Sequence, residues 1–234
     1  MDIAEAVRQR KSIRAFKADP VPLGILREIM DAALWAPSWA NSQPCTFAVV
    51  GGKELEIIKK AYVANADEEA YVDHQDEPNA DIPRPKFPEL YAARRGALAG
   101  SLLATKGIRR EDKEGRKWWH TEGLKNFGAP AVIYIFVERE LFFQGDSRNV
   151  WSVFDSGLMA QTIMLLAMKY GLGTVAQRQA VVFPDVVRST LGIQDSWILV
   201  LGIAVGYPDW NDPINQLRST REPLEKVAKW YGFD

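Results

Sequence analysis

Ala36-Pro37-Ser38-Trp39-Ala40-Asn41-Ser42-Gln43-Pro44 separates two patterned stretches of the chain. A helical pattern begins near Pro22, with Leu23, Leu26, Ile29, Met30, Ala33 and Leu34 on its inward face, and stops at Pro37. The apolar run Cys45-Thr46-Phe47-Ala48-Val49-Val50 follows and predicts a strand over Thr46–Val50. Between them, Ser38, Asn41, Ser42 and Gln43 offer hydroxyls and amides that both donate and accept hydrogen bonds. Such a surface suits a heteroaromatic ring bearing carbonyls and ring nitrogens. The same residue types are ordinary turn formers, so composition alone also fits a polar connector.

Upstream, Ile3, Ala6 and Val7 lie on one face of a predicted helix over residues 2–10. The chain then enters Arg8-Gln9-Arg10-Lys11-Ser12-Ile13-Arg14, with four cations and a hydroxyl within seven residues. If Lys11–Arg14 is extended, Ser12 and Arg14 share a face. Arginine forks and a hydroxyl match the several oxygens of a phosphate. A solvated basic turn is the alternative. Near the other end, Arg218-Ser219-Thr220-Arg221 repeats the theme.

Downstream, helices are predicted over Glu54–Tyr62, Leu90–Leu103, Glu111–Phe127, Phe183–Leu191 and Leu224–Trp230. Strands are predicted over Ala131–Val137, Gly173–Gln177 and Trp197–Val205. Arg148–Tyr170 is the longest helical pattern, and its Leu158–Met168 half is apolar nearly all round. Such a helix is buried on every side, in a large core or between two subunits. From about Asn65 to Leu90 the pattern dissolves into acids, Asp81 among them, and the prolines Pro83, Pro85 and Pro88. A loop of that length in a compact fold is commonly a lid or else disordered. Strands alternating with helices give a mixed α and β class.

Composition excludes several functions. The net charge of -1 leaves no footprint for nucleic acid or an anionic membrane. The longest apolar run, Trp197–Tyr207, is shorter than the about 20 residues that span a bilayer. The acidic start, Met1-Asp2-Ile3-Ala4-Glu5, is unlike a signal peptide, so the expected compartment is the cytoplasm. Cys45 stands alone, and His74 and His120 lie far apart, so no metal site is expected. Gly171-Leu172-Gly173-Thr174 follows a helix and leads into a strand, the reverse of a dinucleotide-binding turn. No Walker loop and no Gly-x-Ser-x-Gly is present. Asp155 and Glu138 are isolated carboxylates, read as a buried polar contact and a strand end. Side chains so poor in reactive chemistry point to a bound cofactor as the carrier of any reaction.

Five segments, in order, resemble the nitroreductase family of FMN-dependent flavoenzymes: Arg10–Phe16, Ala36–Pro44, Asp155–Gln161, Gly171–Thr174, and Gly202–Pro208 with Arg218–Pro223. The resemblance implies an α+β fold with a mostly antiparallel central sheet flanked by helices. It also implies a homodimer with two FMN sites at its interface, where the long apolar helix would lie. Residues 1–234 would form one FMN-binding domain, with a cap insertion at about 65–90 like that of nitrobenzoate-reductase-like members. Arg10, Lys11, Ser12 and Arg14 would hold the phosphate and ribityl chain, joined by Arg221 with Arg218 or Ser219. Pro37, Ser38, Asn41 and Gln43 would reach the flavin bound mainly by the other subunit, and Gly173, Thr174 and Gln177 would pass near the ring. A flavin-contacting polar residue is expected among Glu122, Lys125 and Asn126. No side chain is catalytic in this reading: NADH or NADPH gives hydride to flavin N5, and a nitroaromatic, quinone or similar planar acceptor then takes its place. A flavin storage or sensor protein and a reductive dehalogenase are the alternatives on the same scaffold.

Overall fold

The computed structural model describes residues 2–66, 80–82 and 86–233. In chain order the elements begin with α1 (Ile3–Gln9), α2 (Leu23–Ala33), β1 (Cys45–Gly51), α3 (Gly52–Asn65), α4 (Glu89–Thr105) and α5 (Lys113–Leu124). They continue with β2 (Ala131–Glu138), α6 (Arg139–Phe142), β3 (Phe143–Gln144), β4 (Ser147–Arg148) and α7 (Val150–Lys169). The last are β5 (Gly173–Gln177), α8 (Pro184–Leu191), β6 (Trp197–Gly206) and α9 (Leu224–Val227).

The main sheet is antiparallel throughout, in the order β1-β2-β6-β5. β2 is buried along nearly its whole length because both sheet faces are covered. Ile133 and Ile135 point toward α2 and α7, meeting Leu26, Ile29, Met159 and Ile163. Val132, Tyr134 and Phe136 point the other way, toward Leu55, Ile58 and Tyr62 of α3 and Val187 of α8. Side chains alternate across a strand, so one apolar run serves two cores. The β2–β6 register slips where Ile135 pairs with Leu201 but Phe136 with Leu199, leaving Val200 as the extra residue of a bulge.

Several sequence expectations shift here. Leu23 and Leu34 are each 59% exposed, not inward, because they sit at and just past the ends of α2, beyond the stripe that covers the sheet. The Glu111–Phe127 pattern breaks at Leu124, and a 3-10 turn at Asn126–Gly128 completes it. The hairpin β3–β4 and the one-turn α6 are too short to leave a period.

α7 is long and apolar enough to cross a membrane by length and composition. Here it packs along the sheet and buries Ser152, Asp155 and Ser156 with Met159, Ala160, Ile163 and Ala167. Its other side is open within this chain: Val150, Trp151 and Phe154 are exposed, as are Ile3 and Val7 of α1. Within Leu158–Met168 no residue is exposed, though Leu158, Met164, Leu165 and Leu166 are only half-buried among the described residues.

The 65–90 stretch lies largely outside the described residues, yet its middle is anchored. Asp81 accepts from Arg188 Nη1 at 2.6 Å and Nη2 at 3.1 Å, and from the Leu199 backbone N–H at 2.7 Å. Ile82 packs in the cluster of Val137, Phe142 and Ile198. Asp81 is thus a structural tie to β6 rather than one more solvated acid of a cap.

His120 lies on α5, and burial pushes its imidazole down to about 3. The unfolded chain takes up this proton as pH falls through about 6.5. Between the two values the unfolded state binds more protons, so stability is lost as pH falls. His120→Gln is expected to flatten the melting temperature against pH between about 6.5 and 4, as followed by thermal melts.

Candidate functional site

The basic segment after α1 is drawn onto the free edge of β5. Ser12 forms a parallel bridge with Thr174, and the Ile13 N–H donates to the Thr174 carbonyl at 3.0 Å. Ile13 is only 2% exposed and turns inward. In an extended segment this leaves Ser12 and Arg14 facing the opposite way. Gly173 makes the approach feasible: a Cβ there would lie 2.5 Å from Ile13 Cγ1 and 2.7 Å from Pro208 Cγ.

One buried residue stitches the two ends of the chain together. Asn215, fully buried, donates from Nδ2 to the Ala15 carbonyl at 2.7 Å and the Asp209 carbonyl at 2.8 Å. Its Oδ1 accepts from the Arg14 N–H at 2.9 Å. Asn215 ends a 3-10 turn that Asp212 caps at the Ile214 N–H, and Lys106 pairs with Asp212. Losing three buried bonds and stranding their partners is worth about 3 kcal/mol. Asn215→Leu is therefore expected to lower the melting temperature by roughly 6–12 °C, as calorimetry would read.

The consequence is a group of cations without counter-charge among the described residues. Arg10 is held below its usual pKa by burial, then by Arg221, then by Arg218. Lys11 is lowered by burial and by Arg218, and its Nζ stands 5.1 Å from the centre of the Trp210 ring. Arg14 is lowered by burial. Arg221 Nη1 donates to Ser219 Oγ at 2.8 Å and to the Thr220 carbonyl at 2.9 Å. Its neighbour Glu222 is turned elsewhere, pairing with Arg94 at 3.1 Å and Lys226 at 3.5 Å. Among the described residues no carboxylate pairs with Arg10, Lys11, Arg14, Arg218 or Arg221. Arg221 and Arg218 disfavour the charge on Arg10, and Arg218 that on Lys11, and an anion placed among them would relieve that.

The loop from residue 36 to 44 is folded on itself. Ser38 Oγ accepts from the Gln43 N–H at 3.0 Å, and Gln43 Nε2 donates to the Asn41 carbonyl at 3.3 Å. Ala40, Asn41 and Gln43 have φ of 50°, 56° and 47°. Left-handed backbone costs roughly 1–2 kcal/mol for a residue with a Cβ, less for asparagine. Pro37, Asn41 and Gln43 are exposed and Ser38 half-buried. The Trp39 N–H meets the buried Asp155 carboxylate at 3.2 and 3.1 Å, so Asp155 is the buried polar contact its isolation suggested.

At the far end of β5, Gln177 is buried. Its Nε2 donates to the Gly123 carbonyl at 3.1 Å and to Asn126 Oδ1 at 2.6 Å. Asn126 is itself fully buried, in a turn where Asn126 and Phe127 have φ of 54° and 53°. Of the three candidates for a polar contact before β2, Glu122 and Lys125 pair with each other at 3.1 Å, and Asn126 alone joins the β5 framework. Sequence reasoning passed over Asn215 and the Asp155–Trp39 contact. A lone asparagine ending a turn and a lone aspartate in a helix carry no local signal of partners this distant.

With this geometry in place, comparison with known proteins is informative. The nitroreductase family profile matches residues 7–207, from α1 through β6. Nitrobenzene nitroreductase of Ectopseudomonas oleovorans is 32% identical over 232 residues, covering 97% of this chain and 95% of that protein. Nitroreductase NfnB of Mycolicibacterium smegmatis is 29% identical over 235 residues, covering 98% of this chain and 94% of its own. The crystal structure of an FMN and NADPH-dependent nitroreductase NfnB from sphigopyxis sp. strain HMH superposes with a TM-score of 0.87 at 30% identity, covering 100% of both chains. The antiparallel sheet, the basic segment on β5 and this likeness along nearly the whole length agree, and the chain belongs to the nitroreductase family.

Proposed function

We propose that the protein is an FMN-dependent oxidoreductase that takes hydride from NADH or NADPH and reduces nitroaromatic, quinone or similar planar acceptors in alternating half-reactions. The observation that carries this reading is the set of five cations, gathered from both ends of the chain, that lack a carboxylate partner among the described residues. They fit a phosphate near its dianionic form. Arg10, Lys11, Ser12, Arg14, Arg218, Ser219 and Arg221 hold the phosphate and ribityl chain. Thr174 keeps the basic segment in register with β5, and Gly173 leaves it room. Gln177 is tied to Gly123 and Asn126 through Nε2, while its Oε1 and Asn126 Nδ2 stay without a hydrogen-bond partner among the described residues and are left to meet the ring. Pro37, Ser38, Asn41 and Gln43 contact the ring from the partner protomer.

Hydride acceptance and return are the flavin's own chemistry; the chain binds, orients and shields. The homodimer covers the apolar faces left open on α1 and α7, and the protein works in the cytoplasm, where NAD(P)H is supplied. The 65–90 stretch shapes acceptor access, apart from the anchor at Asp81 and Ile82.

The purified protein is expected to be yellow, to release FMN on heating, and to scatter light as a dimer. NADH and NADPH should each be tried with a panel of nitroaromatics, quinones and halophenols. A colourless protein that takes up no added FMN refutes the proposal, and a flavin-loaded monomer refutes the dimer.

A further inference from the structure

We propose that Asp155 is the positioning residue that sets the 37–43 loop for ligand contact, and that it does so through one backbone amide. Among the described residues, every other hydrogen bond made by residues 37–43 stays within the loop. The tie to the rest of the protein is the Trp39 N–H, which both Asp155 oxygens accept at 3.1 and 3.2 Å. Asp155 is 3% exposed, and among the described residues no cation pairs with it. A buried carboxylate with one donor is costly to keep. What it secures is a turn with left-handed backbone at Ala40, Asn41 and Gln43, the kind of conformation that persists only where its surroundings over-determine it. The turn holds Asn41 and Gln43 outward at the surface. The helix side of the tie is rigid: Asp155 sits on α7, beside Ser156, whose hydroxyl is bonded to the Ser152 carbonyl at 2.8 Å and lies 3.5 Å from Cys45 Sγ at the start of β1. α7 and β1 thus bracket the loop, and Asp155 fixes its rotation relative to both.

The ligand part of this inference rests on the FMN reading, whereas the loop part does not. Three proteins separate them: the parent, Asp155→Asn, which keeps one acceptor oxygen, and Asp155→Leu, which keeps none. Hydrogen exchange over residues 38–43 reads the loop without any ligand. FMN titration, the visible flavin spectrum, and the kcat and KM for an acceptor at saturating FMN read its consequence. Asp155→Leu is expected to speed exchange at Trp39 and its neighbours at least tenfold. It should raise the FMN dissociation constant about tenfold and move the spectrum toward that of free FMN, with KM for the acceptor rising more than kcat falls. Asp155→Asn should recover most of each effect. Should leucine prevent folding, Asp155→Ser removes the reach of the acceptor with less disturbance, and the same exchange measurement applies. Unchanged exchange over 38–43 in a folded variant overturns the positioning role. Faster exchange in Asp155→Leu, where the parent binds no FMN, upholds that role while the FMN reading falls. Faster exchange with an unaltered flavin spectrum and affinity overturns the assignment to ligand contact.

Discussion

Asp81→Ala is expected to destabilise the protein by about 3–5 kcal/mol, the usual cost of removing one partner of a buried ion pair. For a chain of this size that is a fall in melting temperature of roughly 6–20 °C. The side chains of Asp81 and Arg188 are only 8% and 6% exposed, so the pair is little screened by solvent. Burial works against the charge on Arg188, but the carboxylates of Asp81 and Asp185 outweigh it and raise its pKa. Asp185 is 85% exposed and holds only one side of the guanidinium. Removing Asp81 therefore leaves a cation in the core with only solvent-exposed carboxylates, Asp185 at 2.8 Å and Asp195 at 3.8 Å, and strips the Leu199 N–H of its acceptor. Asp81→Asn keeps an acceptor but loses the charge, and should cost about half as much. Replacing the pair together, Asp81→Leu with Arg188→Met, should restore much of the loss, because well-packed apolar residues often match a buried ion pair. Denaturant melts of the parent, Asp81→Leu, Arg188→Met and the double variant form the cycle, with Asp81→Ala and Asp81→Asn measured beside it. A loss below about 0.5 kcal/mol for Asp81→Ala, the size of an ordinary surface change, would show that the excursion is not anchored here. The same result governs truncation: shortening the cap should be tolerated only where Asp81 and Ile82 are kept.

Arg14→Ala and Arg221→Ala are each expected to weaken FMN binding roughly 10- to 100-fold, since a hydrogen bond to a charged group contributes about 1.5–3 kcal/mol. Both variants should melt lower than the parent at limiting FMN and converge on it when FMN is in excess, because a ligand stabilises the state that binds it. Arg14 should show the larger effect. It is more enclosed than Arg221, and its backbone is fixed by Asn215, whereas Arg221 is exposed and leans on its own Ser219 and Thr220. Isothermal titration of the apoprotein reads both. At saturating FMN the rate of acceptor reduction should largely survive, because the phosphate lies away from the reacting edge of the flavin.

The sheet was readable because its signal is local. β5 spans Gly173–Gln177, the bounds read for it from the sequence between Gly171 and Arg178. β2 could be read as a strand because a run covered on both faces is apolar without alternation. Helix ends moved by a few residues where capping, not period, decides them. The parts that escaped are those whose partners are remote in sequence. Asp81 looks like one acid in an acidic run, yet its partner Arg188 stands 107 positions away. Asn215 meets Arg14 across 201 positions, and Asp155 meets Trp39 across 116. No spacing rule reports such contacts. Both basic segments were legible as possible anion ligands, but their convergence was not: that depends on Ile13 packing over Gly173 and on Asn215 bonding Ala15. The diversion of Glu222 to Arg94 was equally hidden, since a neighbour in sequence is the obvious partner for Arg221.

The cations that lack a carboxylate partner among the described residues are proposed to bind the phosphate of FMN. That role is tested most directly by comparing FMN with riboflavin, which has the same ring and ribityl chain without the phosphate. Titrated into the apoprotein, FMN should bind at least about 100-fold more tightly than riboflavin, an increment of roughly 2.8 kcal/mol. That gap should shrink in Arg14→Ala and nearly close in the Arg14→Ala, Arg221→Ala double variant. Equal affinity for FMN and riboflavin in the parent would contradict the account.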